Sequence, residues 1–305
     1  MSEPAEPAHD PGAMPRPAWL SVRGREIYGA TGPGQARPTA RQTALDEHEL
    51  AEVVSLIADG RIARHAVVLP ERLRTRHWPS VTAVALALNG RLGWETCGWK
   101  IGAASEEIRR SEGVPSPSAG RIYRRGLSPS PARLPPELFV NYRNCECEFA
   151  FELGVDFPAR EQPWTEADAR AGIECVMPAL EVGDTVFDDW YGASGFFGSC
   201  LDNGGAAAFV NGPKCRDWEQ FDLARAGMHV YLNNYYVKSG TGRAAMGHPV
   251  TSLTWLLNWA REQGLGVPAG EVVSTGTCTG HLFALPGDTV RAEFAELGTV
   301  EATFL

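Results

Sequence analysis

The feature that most constrains the fold is the decapeptide Asn144–Leu153, in which acidic residues alternate with apolar ones. Because successive side chains of a β-strand point to opposite faces, this alternation predicts a strand with two unlike faces. One face carries Cys145, Cys147 and large apolar residues, and the other carries Glu146 and Glu148. We therefore expect the thiols to lie in a core and the acids to form a face of their own.

The acids of this strand are a candidate metal site. Glu146 and Glu148 are two residues apart, so their Cα atoms are roughly 6 to 7 Å apart in a strand, and both carboxylates can reach one hard divalent cation, which prefers oxygen ligands. A strand face that is simply exposed to solvent gives the same alternation. From this segment alone, that interpretation stays open. Glu181 favours the metal site, because it is the only charge in a run (176–182) that is otherwise typical of a buried strand.

Composition limits the class of partner. The 305 residues are 44% hydrophobic and 21% charged, with a net charge of −9, which is typical of a globular protein and disfavours nucleic acid and anionic membranes as partners. The sequence contains no apolar run near the roughly 18 residues of a membrane helix and starts without a signal-peptide pattern, so we expect a cytoplasmic protein that acts on small molecules. Its seven scattered cysteines are expected to be reduced, with Cys145 and Cys147 in the core.

Three segments follow from the patterns along the chain. Residues 1–40, rich in Pro, Gly and Ala, are expected to form a loosely ordered arm. Residues 41–95 are predicted to form a small helical N-terminal subdomain, with one helix from Asp46 to about Gly60 and a second over 79–88. Residues 96–305 contain several stretches in which apolar and polar residues alternate as in strands. We therefore predict a β-rich domain of the α+β class.

Several other segments carry polar groups suited to catalysis or to substrate binding. Lys100 lies in the middle of the short strand 98–102, where burial would lower its pKa toward values useful for acid or base chemistry; a lysine extending from a strand edge to solvent stays open. The segments 113–120 and 188–205 are predicted to be loops from their Gly, Pro and Ser content. The loop 275–280 offers hydroxyl and N–H donors for a carboxylate, or forms a simple threonine-rich turn, and His281 follows it.

With these residues placed, the chain resembles the fumarylacetoacetate hydrolase superfamily, and within it the branch of 2-keto-4-pentenoate hydratases and 4-oxalocrotonate decarboxylases. The similarity covers roughly residues 75–305. The stretches that match in order are 98–102, 145–151, 178–181, 202–203, 247–249 with the helix that follows, 270–276 and 287–288.

The resemblance implies a mixed, rolled sheet, a homo-oligomer, and a Mg²⁺ or Mn²⁺ site with Glu146, Glu148 and Glu181 as ligands. It also implies that the metal chelates a 2-oxo or 2-enol carboxylate and that the reaction passes through a metal-stabilised enolate. Lys100 is then the best candidate for the acid that protonates carbon. The substrate is expected to be a small 2-oxo acid.

The chain also departs from this branch. Its hydratases carry Pro-Asp-aromatic-Gly where this chain has 117–120 with Ser118, and Asp-Ser-Arg where it has 184–186. We therefore place Ser118 beside Lys100 as a catalytic position whose usual acid is missing. The residues predicted to bind substrate are Asp202, Asn203, Thr277, Thr279 and His281.

These observations predict a divalent-metal-dependent lyase, either a hydratase or a decarboxylase. A first alternative within the superfamily is hydrolysis of a carbon–carbon bond in an acylpyruvate, for which His281 would have to serve as the general base. A second alternative is a non-catalytic binding protein that retains the fold. The missing acid at Ser118 favours decarboxylation, or a larger atypical substrate, over hydration of simple 2-hydroxypentadienoate.

Overall fold

The computed structural model describes residues 42–187 and 195–305, so the arm predicted over residues 1–40 lies outside them. The described residues contain six α-helices. These are α1 (Glu47–Ala63), α2 (Trp78–Leu92), α3 (Glu106–Glu112), α4 (Glu166–Ala171), α5 (Gly195–Leu201) and α6 (Pro249–Glu262).

The strands form two sheets, one of eight strands and one of five. The strands are β1 (Thr96–Gly102), β2 (Ser118–Tyr123), β3 (Leu127–Pro129), β4 (Ala132–Leu134), β5 (Asn144–Leu153), β6 (Ile173–Gly183), β7 (Ala206–Asn211), β8 (Gly227–Leu232), β9 (Tyr235–Thr241), β10 (Val272–Ser274), β11 (Leu282–Phe283), β12 (Thr289–Phe294) and β13 (Gly298–Phe304). The larger sheet has the order β2-β1-β10-β5-β6-β7-β3, with β11 beside β5, and the smaller has β4-β13-β12-β8-β9. Both sheets mix parallel and antiparallel pairs.

The two N-terminal helices form for local reasons. Asp46 accepts the backbone N–H of Glu49, and the Glu49 carboxylate accepts the N–H of Asp46, a reciprocal capping box that starts α1. Pro79 lies in the first turn of α2, where its missing N–H costs nothing. Both helices run a few residues beyond their predicted ends. The subdomain boundary near residue 95 stays a prediction.

The larger sheet rolls until its two ends face each other. Side chains of β1 and β2 line one cavity together with side chains of β6 and β7. Just after β2 the chain approaches β7 so closely that a Cβ on Gly126 would lie 2.2 Å from the Ala207 carbonyl oxygen. The sheet therefore has an outer face, and an inner face that encloses a narrow space.

The thiol face of β5 is the outer one, and it packs against the smaller sheet. Phe149 and Phe151 are fully buried there, and the Phe149 ring lies 5.3 Å from Phe294 of β12. Cys145 and Cys147 are buried free thiols in the same core, as predicted. Burial of this face turns the glutamates of β5 toward the inside of the roll.

Two predicted loops are wrong in part. Ser118 does not lie in a loop but begins β2, paired with Gly102 of β1. The segment 195–201 is the helix α5, which packs Phe197 and Cys200 into the core beneath α1 and α2. Gly-rich sequence has low helix propensity, and here tertiary packing outweighs it; residues 188–194 lie outside the described residues.

The α+β class with a mixed, rolled sheet is confirmed. In the described residues, no helix combines the length and the apolar character that a membrane crossing requires.

Candidate active site

Three glutamates share the inner face of the roll. Glu146 of β5 is directly opposite Glu181 of β6 in the antiparallel register, and Glu148 is opposite Ala179 on the same face. Glu148 is fully buried and Glu181 is 4% exposed. An ordinary solvated strand face is therefore excluded, since these carboxylates lie inside the protein.

Lys100 joins this acidic face from β1. Its side chain is 8% exposed, and its ammonium group donates hydrogen bonds to the Glu181 carboxylate and to the backbone carbonyl of Gly204. The alternative of a lysine that extends from a strand edge to solvent is thereby excluded. The structure thus brings Lys100 and Glu181 together across 81 residues of sequence.

Glu148 is held by β10, which lies next to β5. Its Oε2 accepts hydrogen bonds from the Ser274 hydroxyl and from the Gly276 N–H, the latter at 2.8 Å. Its Oε1 is buried and accepts no hydrogen bond from an N–H or hydroxyl group of the described residues, although the Glu181 carboxyl lies within hydrogen-bonding reach of Glu148. The sequence alone did not single out Ser274. The available signal was a serine directly after two valines in a predicted strand.

His281 contacts the remaining glutamate. Its Nδ1 lies 3.0 Å from Glu146 Oε1, which also accepts a hydrogen bond of 2.7 Å from the Asn144 amide. The Lys238 ammonium donates to the His281 backbone carbonyl. His281 is therefore part of the acidic cluster, whereas Asn144 and Lys238 are members that the sequence did not single out.

Crowding of charges in a buried space shifts the pKa of the three glutamates and of Lys100. Burial, reinforced by the other two glutamates, raises the pKa of Glu148 well above its usual value. Burial also raises the pKa of Glu181, although Lys100 opposes the shift. Burial alone would lower the pKa of Lys100, but the three carboxylates outweigh it and raise that pKa. The pKa of Glu146 is lowered despite burial, because His281 and Lys100 favour its charged form.

These residues fit a divalent cation in donor chemistry. The donor set is all carboxylate oxygen, as hard cations prefer, and the buried Glu148 Oε1 has no N–H or hydroxyl donor among the described residues, so it is available to such an ion. Within residues 42–187 and 195–305, no three acidic, histidine or cysteine side chains are already arranged to coordinate a metal ion. Glu181 and Glu146 would have to turn from Lys100 and His281 toward the ion, so the ligand set remains a prediction.

Ser118 lies on the same face of the sheet as Lys100. The residues opposite them in the β1–β2 register are Gly102 for Ser118 and Gly120 for Lys100. A Cβ on Gly102 would come within 2.5 Å of the Ser118 hydroxyl oxygen, so the glycine leaves room for it. Ser118 also hydrogen-bonds the buried thiol of Cys200.

Asp202 and Asn203 are buried and occupied by the protein itself. Asp202 pairs with Arg61 at 2.8 Å and accepts hydrogen bonds from Thr185 and from the Val186 N–H. The Asn203 amide bonds both backbone groups of Arg121 in β2. This geometry gives the two residues a structural role next to Lys100. Their contact with substrate stays a prediction.

The threonine loop runs beside β5. The Cys278 N–H donates to the Cys147 carbonyl at 2.9 Å, and the Thr277 hydroxyl accepts the Gly280 N–H at 2.9 Å. The Thr279 hydroxyl makes long contacts of 3.4 Å with the Cys147 N–H and with the Gly280 carbonyl. The loop thus closes its own turn, while its start at Gly276 supports Glu148.

The rolled mixed sheet makes this an α+β protein. Its buried pocket of glutamates and Lys100 is typical of an enzyme active site. Residues 127–305 match the family model "Fumarylacetoacetate (FAA) hydrolase C-terminal". The chain therefore belongs to the fumarylacetoacetate hydrolase family, which confirms the resemblance seen in the sequence and the prediction of an enzyme.

Curated relatives carry hydratase names. The chain is 30% identical over 224 residues to 2-hydroxyhexa-2,4-dienoate hydratase of Comamonas testosteroni, covering 72% of this chain and 82% of that protein. It is 28% identical over 213 residues to 2-keto-4-pentenoate hydratase of Paraburkholderia xenovorans, covering 70% and 77%. Among solved structures, 4-oxalocrotonate decarboxylase from Pseudomonas putida G7, complexed with magnesium and adipate, matches with a TM-score of 0.74 at 23% identity, over 87% of this chain and all of the other. This structural match supports the fold.

Proposed function

We propose that this protein is a divalent-metal-dependent lyase, a hydratase or decarboxylase, that acts on a small 2-oxo or 2-hydroxydienoate acid. The observation that carries the proposal is the buried Lys100 ammonium on the same inner face as Glu146, Glu148 and Glu181. The hydratase names of the curated relatives support the reaction class. The magnesium complex of the related decarboxylase supports Mg²⁺, with Mn²⁺ as the second candidate.

Glu146, Glu148 and Glu181 would hold the cation. When bound, a divalent cation supplies Lewis-acid stabilisation of negative charge that develops on substrate oxygens. Ser274 and Gly276 fix Glu148 Oε2, which leaves Oε1 as the available oxygen. The burial of Glu148, Glu181 and Lys100 strengthens each electrostatic contact among them.

Lys100 is the proposed proton donor to carbon. Its Nζ is held between the Glu181 carboxylate and the Gly204 carbonyl, and the Gly204 contact would remain if Glu181 turned toward a cation. The three glutamates raise its pKa and keep it protonated. If those glutamates held a cation, they would stabilise the ammonium group less, and the pKa of Lys100 would fall.

Ser118 favours decarboxylation over simple hydration. Hydration of a dienoate uses a group that accepts a proton from water as well as one that donates to carbon, and a serine hydroxyl is a poor base without an activating partner. The neighbour it has is the Cys200 thiol, whose pKa burial raises to about 12. Decarboxylation needs only a stabilised carbanion equivalent and one proton donor, which Lys100 provides.

The contact between His281 and Glu146 favours a second candidate function, hydrolysis of a carbon–carbon bond in an acylpyruvate. That reaction needs a general base for water, and His281 is the histidine that the structure brings to the acidic face. If His281→Asn abolished acylpyruvate cleavage by a protein that leaves dienoates unchanged, the hydrolase would replace the lyase.

The deciding experiment is a substrate screen with added Mg²⁺ or Mn²⁺. We expect 2-hydroxydienoates and 2-oxo-enedioates to lose their conjugated ultraviolet absorbance, with carbon dioxide release separating decarboxylation from hydration. Lys100→Met should lower turnover by about 100- to 10,000-fold without weakening metal binding in calorimetry. Metal binding without turnover of any of these acids, dienoates and acylpyruvates alike, would identify a binding protein that keeps the fold.

A further inference from the structure

Arg61, at the end of α1, is remote from the acidic pocket in sequence but reaches the backbone beside it. Its side chain is 5% exposed, and its Nε donates to Asp202 Oδ1 at 2.8 Å. Its two terminal nitrogens donate to the carbonyls of Ala206, at 3.1 Å, and of Asp184, at 3.0 Å. The guanidinium group therefore ties both ends of the turn 202–206 to the segment that follows β6.

This turn has a left-handed backbone at three residues in a row. Asn203, Gly204 and Gly205 follow one another with φ angles of 54°, 64° and 72°. Two of the three are glycines, which adopt positive and negative φ angles about equally well, so contacts with the surroundings must fix the conformation of the turn. Gly205 is held at both its backbone groups, because its carbonyl accepts the Asp184 N–H at 2.7 Å and its N–H donates to the Asp202 carbonyl at 2.8 Å.

The same turn supports Lys100. The Gly204 carbonyl accepts a hydrogen bond from Lys100 Nζ, opposite the Glu181 carboxylate. A Cβ on Gly204 would lie 2.6 Å from Lys100 Cε, so the bare backbone of the turn lies directly against the end of the lysine side chain. A shift of this turn would therefore move the ammonium group relative to Glu181.

We propose that Arg61 is a positioning residue for Lys100, and that it acts through Asp202 and the left-handed turn 203–205. The inference rests on the proposed function, in which Lys100 donates a proton to carbon. It makes α1 a working part of the active site, because the arginine that fixes the turn comes from that helix. Misplacement of a reacting group by about 1 Å costs on the order of 100-fold in rate.

The first test compares Arg61→Met with Ile57→Ala. Ile57 is a fully buried residue of the same helix, so its truncation also destabilises α1 but leaves the turn contacts in place. At a temperature where circular dichroism shows both variants folded, we expect kcat to fall about 10- to 100-fold in Arg61→Met, with KM within about twofold. Arg61→Lys, which keeps the charge but reaches fewer acceptors, should recover part of that loss. An equal fall of kcat in Ile57→Ala would overturn the proposal.

The second test asks whether Arg61 acts through Lys100. In the Lys100→Met background, Arg61→Met should cause no further loss of residual turnover, since two groups that act as a unit are not additive. A further loss of the same size as in the wild-type background would overturn the proposal.

A crystal structure of Arg61→Met decides the point without any substrate. We expect the turn 203–205 to move and the Gly204 carbonyl to leave Lys100 Nζ, and a turn that stays in place refutes the inference. Wild-type turnover by Lys100→Met would refute the proposed function instead, while the crystal structure would still test the positioning by Arg61.

Discussion

Replacing Glu148 by Gln should stabilise the metal-free protein and weaken its metal binding. The variant keeps the shape of the side chain, and its carbonyl oxygen can still accept from Ser274 and Gly276, as Glu148 Oε2 does. It removes one charge from a site where burial and two like charges already disfavour the carboxylate. The two effects have opposite signs, which separates them from a general loss of structure.

The size of the stability gain follows from the register. Glu146 and Glu148 lie roughly 6 to 7 Å apart at their Cα atoms. With this spacing taken as the separation of the two charges, they repel by about 2.5 kcal/mol at an effective dielectric constant of 20. Glu181 adds a second repulsion, and the Lys100 ammonium offsets one of the two. The net gain for Glu148→Gln in the presence of EDTA is therefore about 2 kcal/mol.

The metal effect is the opposite. Loss of one anionic ligand should weaken Mg²⁺ or Mn²⁺ binding at least tenfold, or about 1.4 kcal/mol. Urea unfolding in EDTA measures the first effect and isothermal titration calorimetry the second. Glu152→Gln is the matched control, because Glu152 shares the strand and the face but pairs with Lys214 near the surface; its stability should change by no more than about 0.5 kcal/mol, and its metal affinity should not change.

Two results would refute this reasoning. A Glu148→Gln protein that is less stable than the wild type in EDTA would show that the buried carboxylate is not under net repulsion. Unchanged metal affinity in the three single variants Glu146→Gln, Glu148→Gln and Glu181→Gln would eliminate the site altogether.

Three further outcomes are expected. Ser118→Asp should raise any hydratase rate by supplying a second acid–base group beside Lys100; if the wild type already hydrates 2-hydroxypentadienoate at about 10 per second, Ser118 is not the deciding position. Gly98→Ala should destabilise the protein by about 1–3 kcal/mol in urea unfolding, because the added Cβ would meet a backbone carbonyl of β10 at 2.1 Å, whereas Gly90→Ala, in open space on α2, should be neutral or stabilising by up to about 1 kcal/mol. Removal of residues 1–40 should leave activity, melting temperature and oligomeric state unchanged, and aggregation or a change in light scattering would contradict this.

Local patterns in the sequence were enough for the elements that carry the acids. The alternation over Asn144–Leu153 predicted β5 to the residue. The lone charge of Glu181 in an apolar run pointed to the third carboxylate. These signals are readable because side-chain periodicity depends on neighbours a few residues away.

Short elements with weak propensity were not readable in this way. The helix α5 has seven residues, two of them glycine, and a helix of that length has little stability of its own. Ser118 lies in a stretch of Pro, Ser and Gly that is typical of a loop, yet pairing with β1 makes it a strand. In both cases packing against the rest of the molecule decided the conformation.

The tertiary structure alone decided what each acid contacts. Lys100 meets Glu181 across 81 residues, Ser274 meets Glu148 across 126, and Arg61 meets Asp202 across 141. Such contacts depend on strand order, on register and on the roll of the sheet, none of which leaves a periodic trace in the sequence. The sequence therefore determined which side chains are available for chemistry, and the rolled sheet determined their neighbours, because only closure of the sheet brings its distant strands around one buried space.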